Sequence, residues 1–327
     1  MKFINKEEKI RNILKLFIVL ILSLVMGLSD GQAQLKCKVT NDPAKVELIY
    51  DDLHNFIRAM EMLGKESNPE TIFQREYLDK ASPGLKEYVS ANKYEAKHFV
   101  EEIRKKMAQY SGLRDLPKAL VAQENAIRKA FKGLTKVIPN TVFMPVYYFV
   151  GIRGGGLHAE PSEYGLLIAI AELDEDLPGV KLVLVHETVH VQQALAVGLE
   201  EYQSIYGPKM SLLAVSLREG VAQFLTFLST GERTKEEAYE YFDKNEREVW
   251  ERFMAEMNEH LPGDWMWTKP KKSEQPRDLG YIIGDRIVEA FYNEAEDKEK
   301  AIIDILSITD YQEFFKKSGY AEKFSDK

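Results

Sequence analysis

The chain has 327 residues, 44 Lys and Arg against 52 Asp and Glu, a formal charge of −8, 45% hydrophobic residues, six histidines and one cysteine. That composition excludes a disordered or fibrous chain, and an acidic balance without a long basic block excludes a nucleic-acid binder that works by neutralising phosphates. With Cys37 the only thiol, no intramolecular disulfide can form, so stability has to come from packing.

Residues 1–33 read as a secretory signal peptide. Lys2, Lys6, Lys9, Arg11 and Lys15 precede an apolar run at 16–28. Its 13 residues fall short of the ~20 that a membrane span needs. Gly31-Gln32-Ala33 offers a small-x-small cleavage site. The expectation is an exported protein, periplasmic, cell-surface or secreted, with no membrane span after cleavage.

Residues 34–138 have the pattern of an N-terminal helical region. Asp42 before Pro43 reads as an N-cap, and Val46, Ile49, Tyr50, Leu53, Phe56, Ile57 and Met60 recur at spacings of three and four. Asn68-Pro69, Ser82-Pro83-Gly84 and Ser111-Gly112 divide the remainder into further helices. A second region, 139–327, is expected to join the first in one compact catalytic unit. Residues 142–150 are β-branched and aromatic and predict a strand, with Pro145 pointing to an edge or a bulge. A glycine-rich loop spans 151–158 and a second strand 165–171. The triplet Gly154-Gly155-Gly156 lacks the Lys-Ser/Thr of a phosphate-binding loop and reads as backbone flexibility. After the acidic stretch at 174–178, helices are expected at about 179–197, 209–229, 234–260 and 278–294. The fold class is α+β, predominantly α-helical, with a small β-sheet beside the helix at 179–197.

That helix carries His186-Glu187-Thr188-Val189-His190, an HExxH motif. Residues four apart share one helix face, so both imidazoles reach one cation, and Glu187 on the adjacent flank reaches a water rather than the metal. The surrounding Val180, Leu182, Leu184, Val185 and Val189 make the helix apolar, an awkward setting for two histidines and a glutamate without a partner. Zinc (Zn2+) is the expected cofactor, with His186 and His190 as ligands. A catalytic zinc takes three protein ligands, and the best third is Glu219, an acid within the apolar segment LREGVAQFL at 217–225. Gly220 and Ala222 would let that segment approach the HExxH helix closely. Pairing with Arg218 is the competing account of Glu219, and His158 and His260 are competing ligands. A metzincin would need a third histidine at position 196, which is Ala196.

HETVH, followed by Glu219-Gly220-Val221-Ala222, resembles a gluzincin, the zincin class with a glutamate third ligand. More narrowly, HETVHVQQ, LREGVAQFL and LGYIIGDRIV at 279–288 resemble the exported predicted zinc-dependent proteases related to the gliding-motility lipoprotein B family. The resemblance implies a zincin-like fold, a zinc-dependent peptidase acting on a peptide or protein substrate, and Glu187 as general base. Tyr281, in the small-residue segment 280–284, is the candidate catalytic donor to the developing oxyanion, ahead of His260 and Arg286, with aromatic packing as its alternative role. One position departs from the pattern: thermolysin-like gluzincins have aspartate four residues after the ligand glutamate, and here Gln223 stands there. By analogy with zincins the strand at 165–171 would be the edge that pairs with substrate. A non-catalytic assembly or binding protein on the same scaffold, and a zinc hydrolase acting on a non-peptide amide, are the alternative functions.

Overall fold

The computed structural model describes residues 35–152, 157–172, 179–207, 209–260, 263–267, 270 and 275–325. The expected signal peptide at 1–33, the Gly154-Gly155-Gly156 triplet and the acidic stretch at 174–178 lie outside the described residues.

Four short strands form a mixed sheet: β1 (Leu48–Ile49), β2 (Val146–Val150), β3 (Leu157–Pro161) and β4 (Leu166–Ile170), in the order β1-β2-β4-β3. The first three in that order run parallel, and β3 runs antiparallel to β4 with Ala159 opposite Ile168. VYYFV and LLIAI are buried at every position, as central strands covered on both faces should be. The edge beside β4 is therefore β3, half-buried throughout, and the strand at 165–171 is not an edge. Leu157 and His158, which the sequence assigns to a loop, open β3. Pro145 marks neither an edge nor a bulge. It lies one residue before β2, where no ladder N–H is required of it, and its carbonyl accepts the N–H of Leu166 at 2.9 Å.

Between β1 and β2 run α1 (Asp51–Met62), α2 (Pro69–Phe73), α3 (Pro83–Asn92), α4 (Ala96–Lys105), α5 (Met107–Ser111) and α6 (Leu116–Val137). Asn68 and Ser82 cap α2 and α3 by accepting the N–H groups of Glu70 and Leu85. Asp42 caps only one 3-10 turn, Pro43–Lys45, so the helix expected from Pro43 begins instead at Asp51. The reason is that Leu48 and Ile49 pair with Val146 and Tyr147, while Asp51 and Asp52 supply the acidic first turn that a helix N-terminus favours. Phe56, Phe73, Tyr77 and Phe99 meet edge to face in this core, with ring centres 5.4–6.5 Å apart.

After β4 the chain is helical: α7 (Val180–Val197), α8 (Leu199–Ser204), α9 (Leu212–Thr230), α10 (Glu236–Glu256), α11 (Leu279–Glu294), α12 (Lys298–Leu306) and α13 (Tyr311–Lys317). Residues Cys37–Lys327 form one unit. α9 is long and apolar enough to cross a membrane, yet 83% of its apolar window is buried in the protein. It is the central helix of this half, touching α6, α7 and α11. Against α11 it packs backbone to backbone. A methyl added to Gly220 would stand 2.1 Å from the carbonyl carbon of Gly284, and one added to Gly284 would stand 1.8 Å from the carbonyl oxygen of Ser216. The close approach expected of Gly220 toward the HExxH helix is thus made toward α11, and α7 meets α9 through side chains.

Candidate metal centre

α7 is apolar nearly all round rather than amphipathic, yet His186 and His190, one turn apart, share the face turned to α9. Glu219 meets them there. His186 Nε2 lies 3.2 Å from Glu219 Oε2, His190 Nε2 lies 3.3 Å from the same oxygen, and the two Nε2 atoms are 3.1 Å apart. Among the described residues, these three make the one group of His, Cys, Asp and Glu side chains arranged to hold a metal ion.

The opposite sides of both rings are engaged. His190 Nδ1 lies 2.7 Å from Gln193 Oε1. That amide's orientation is fixed, because Gln193 Nε2 donates to the Arg218 carbonyl at 3.1 Å. The oxygen therefore faces His190, whose Nδ1 must carry the proton. His186 Nδ1 faces Gln223 Oε1 at 3.2 Å, so Gln223 accepts the imidazole N–H through its amide oxygen. With both Nδ1 atoms donating, the two Nε2 atoms and the carboxylate oxygen turn lone pairs toward one point.

Burial alone would raise the pKa of Glu219, but the charge and hydrogen bonds of the two imidazoles reverse this and hold the carboxyl well below its ordinary value. For His190, burial would lower the pKa, but the charge of Glu219 and the hydrogen bond to it outweigh burial and raise the value. His186 is shifted downward by its burial, against the pull of the same carboxylate. A dication entering the triangle would compete with any proton held between these groups.

Glu187 sits on the neighbouring flank, and α7 packs there against β3. Its carboxylate makes no side-chain hydrogen bond among the described residues. Burial pushes it up to about 8; His190 pulls the other way, and the charges of Glu219 and Glu160 add to the rise. Tyr281, from the first turn of α11, lies with its ring 6.2 Å from that of His186. Its hydroxyl accepts the Trp267 indole N–H at 2.9 Å, which leaves its own proton free to donate. Burial raises its pKa well above the usual value, so the phenol stays protonated.

The competing assignments separate cleanly. Arg218 turns away from Glu219, donating to the Tyr311 hydroxyl at 2.5 Å with its guanidinium 4.0 Å over the Tyr202 ring. His158 lies 3.5 Å from Glu160 on its own strand, and His260 faces the Met210 carbonyl at 3.2 Å. Arg286 is bound to Asp243 at 2.7 Å and Glu289 at 2.9 Å. Two neighbours escaped the sequence reading. Gln193 was within reach of it, since it stands three residues after His190 on the same helix. Tyr206, which donates to Glu219 Oε1 at 3.4 Å, arrives from the segment after α8 and carries no local signature.

No protein-family model, curated protein or solved structure matches the chain.

Proposed function

We propose that the protein is an exported zinc-dependent peptidase of the zincin type, with His186, His190 and Glu219 as the metal ligands. The observation that carries this reading is the triangle of acceptor atoms. Ligands held 2.0–2.1 Å from a tetrahedral zinc stand about 3.3–3.4 Å from one another, and the three edges here measure 3.1–3.3 Å. Two nitrogens and one carboxylate oxygen suit zinc rather than the all-oxygen preference of calcium or magnesium. Three protein ligands leave a position open, the arrangement of a catalytic rather than a structural site.

When bound, zinc supplies Lewis acidity that acidifies a water and polarises the scissile carbonyl. The chain supplies the rest. Glu187 takes the proton from the attacking water and returns it to the leaving amine. Its raised pKa in the metal-free protein comes from burial beside another carboxylate, and a nearby dication would relieve that pressure and leave it ionised as a base. Tyr281 donates its free hydroxyl proton to the oxygen on which negative charge develops. Gln223 and Gln193 hold the rings of His186 and His190 in the tautomer that presents Nε2.

An intact general base argues against a scaffold kept only for binding. Elemental analysis of the purified protein should give one zinc per chain, and a peptide library should be cleaved. Substituting Glu187→Gln should retain the zinc and lower turnover by about 100- to 10,000-fold, the usual contribution of a general base. Full turnover in that variant would remove the mechanism, and a chain that binds zinc yet cleaves nothing would favour the binding scaffold.

A further inference from the structure

Among the described residues, five that are not glycine have positive φ, and three of them meet at one wall of the metal centre: Lys235 (φ 62°), Trp267 (φ 60°) and Asp278 (φ 65°). Left-handed backbone at lysine and tryptophan is strained, and such residues concentrate where function requires a fixed geometry. These three are also tied together. Asp278 accepts the Trp267 N–H through Oδ1 at 2.8 Å and the Lys235 ammonium through Oδ2 at 2.6 Å. Arg277 donates to the Trp267 carbonyl at 2.9 Å, and the Trp267 indole N–H reaches Tyr281. Lys235 Nζ stands 4.6 Å over the Tyr281 ring, and its neighbour Thr234 bonds Gln223, the partner of His186.

What this clamp displays is an indole. Trp267 is 44% exposed, whereas Trp250 and Trp265, the other tryptophans of the chain, are 5% and 1% exposed. A large apolar ring left 44% exposed beside the metal centre, on strained backbone and held by three hydrogen bonds, presents an apolar face that the core does not use. Lys235 and Asp278 neutralise each other and the Arg277 guanidinium is turned to the Trp267 carbonyl, so the indole face is the apolar part of this wall.

We propose that Trp267 is a specificity-determining residue whose indole face receives an aromatic or large aliphatic side chain of the substrate, next to the bond being cleaved. This rests on the peptidase reading for the identity of the substrate, while the binding surface itself is tested without turnover. The difference in fluorescence between the native protein and Trp267→Phe isolates the exposed indole. Short capped alanine-rich peptides carrying one Phe or one Leu should shield that signal from acrylamide, and their all-alanine and single-Asp counterparts should not. In peptides that are cleaved, Trp267→Ala should raise KM about ten-fold or more for the Phe and Leu substrates relative to the all-alanine substrate, as expected for a lost apolar contact, while any fall in kcat from losing the bond to Tyr281 should be the same for every substrate and should persist in Trp267→Phe. Trp267→Phe should restore most of the lost affinity. Shielding by none of the peptides, or an equal effect of Trp267→Ala on the KM of every substrate, would overturn the proposal. Shielding without any cleavage would leave the Trp267 site standing and overturn the peptidase reading instead.

Discussion

The two halves of the molecule bury polar groups in opposite ways. In the half that contains α1–α6 and the sheet, Asp52 and Tyr77 each meet a complementary group. Asp52 is 1% exposed and accepts the N–H and the hydroxyl of Ser82. The Tyr77 hydroxyl accepts from the Val150 N–H at 3.1 Å and donates to the Val150 carbonyl at 2.7 Å. In the half built on α7, α9 and α11, three acceptors face one another across 3.1–3.3 Å. Burial of polar residues is thus common to both halves. What sets the second apart is that atoms of His186, His190 and Glu219, each able to ligate a metal, converge on one point, the arrangement that the proposed cation would complete.

The sharpest way to break this contrast is to change the carboxylate in the triangle. Glu219→Gln keeps the shape of the side chain but removes its charge and puts an N–H where a lone pair was. Zinc affinity, measured by competition with a chelator, should fall by more than the ~10- to 100-fold that loss of an outer-shell partner costs. Unchanged affinity would dismiss Glu219 as a ligand and leave the triangle as an ordinary buried hydrogen-bonded cluster.

A smaller effect is expected from the backbone contact that positions Glu219 and Tyr281 relative to each other. Gly284→Ala places a methyl against the Ser216 carbonyl, and helices α9 and α11 must separate to admit it. Overpacking of this kind costs about 1–3 kcal/mol in urea unfolding, and zinc affinity should weaken with it because α9 carries Glu219. Gly112→Ala is the matching substitution in the other half. There the added methyl meets open space and φ is −66°, so stability should hold or improve slightly. Equal responses of the two glycines would show that the α9–α11 contact is not the constraint it is taken to be.

How legible each of these features is in the sequence follows from the range of the interaction. His186, Glu187 and His190 are readable because their geometry is fixed within a turn and a half of one helix. Glu219 is readable as an acid in an apolar helix, although its distance from the histidines could only be known once α7 and α9 were placed. The long helices are legible to within a few residues for the same local reason. The partner of Gly220 is not, since either α7 or α11 satisfies a small residue on α9. Strand β1 escapes because Val46, Ile49 and Tyr50 fit helical spacing, and only pairing with β2 decides otherwise. Strand β3, with His158, Glu160 and Pro161, has little strand propensity of its own and is made by its pairing with β4. Trp267, Asp278 and Lys235 come from three separate segments, and nothing in any of them announces the clamp.

The smallest expected effect tests whether the two buried acids differ in kind. Burial raises the pKa of Asp52, against the lowering effect of its hydrogen bonds to Ser82, whereas that of Glu219 is held low. A carboxyl whose folded pKa exceeds its unfolded value binds more protons in the folded state. Its contribution to stability is therefore greatest below the unfolded value of about 3.9 and declines as pH rises through the folded one. Asp52→Asn retains an acceptor for the Ser82 N–H and has no charge to bury, so its stability should lack this slope. Relative to the variant, the native protein should lose stability between about pH 4 and pH 7, read as the difference in urea midpoints at the two ends of that range. Zinc should leave that difference unchanged, because Asp52 is paired with Ser82 and makes no contact with the metal-centre residues. A native protein that instead gains on the variant with rising pH would mean that Asp52, like Glu219, is held as an anion by its surroundings, and the distinction between the two halves would then rest on the histidines alone.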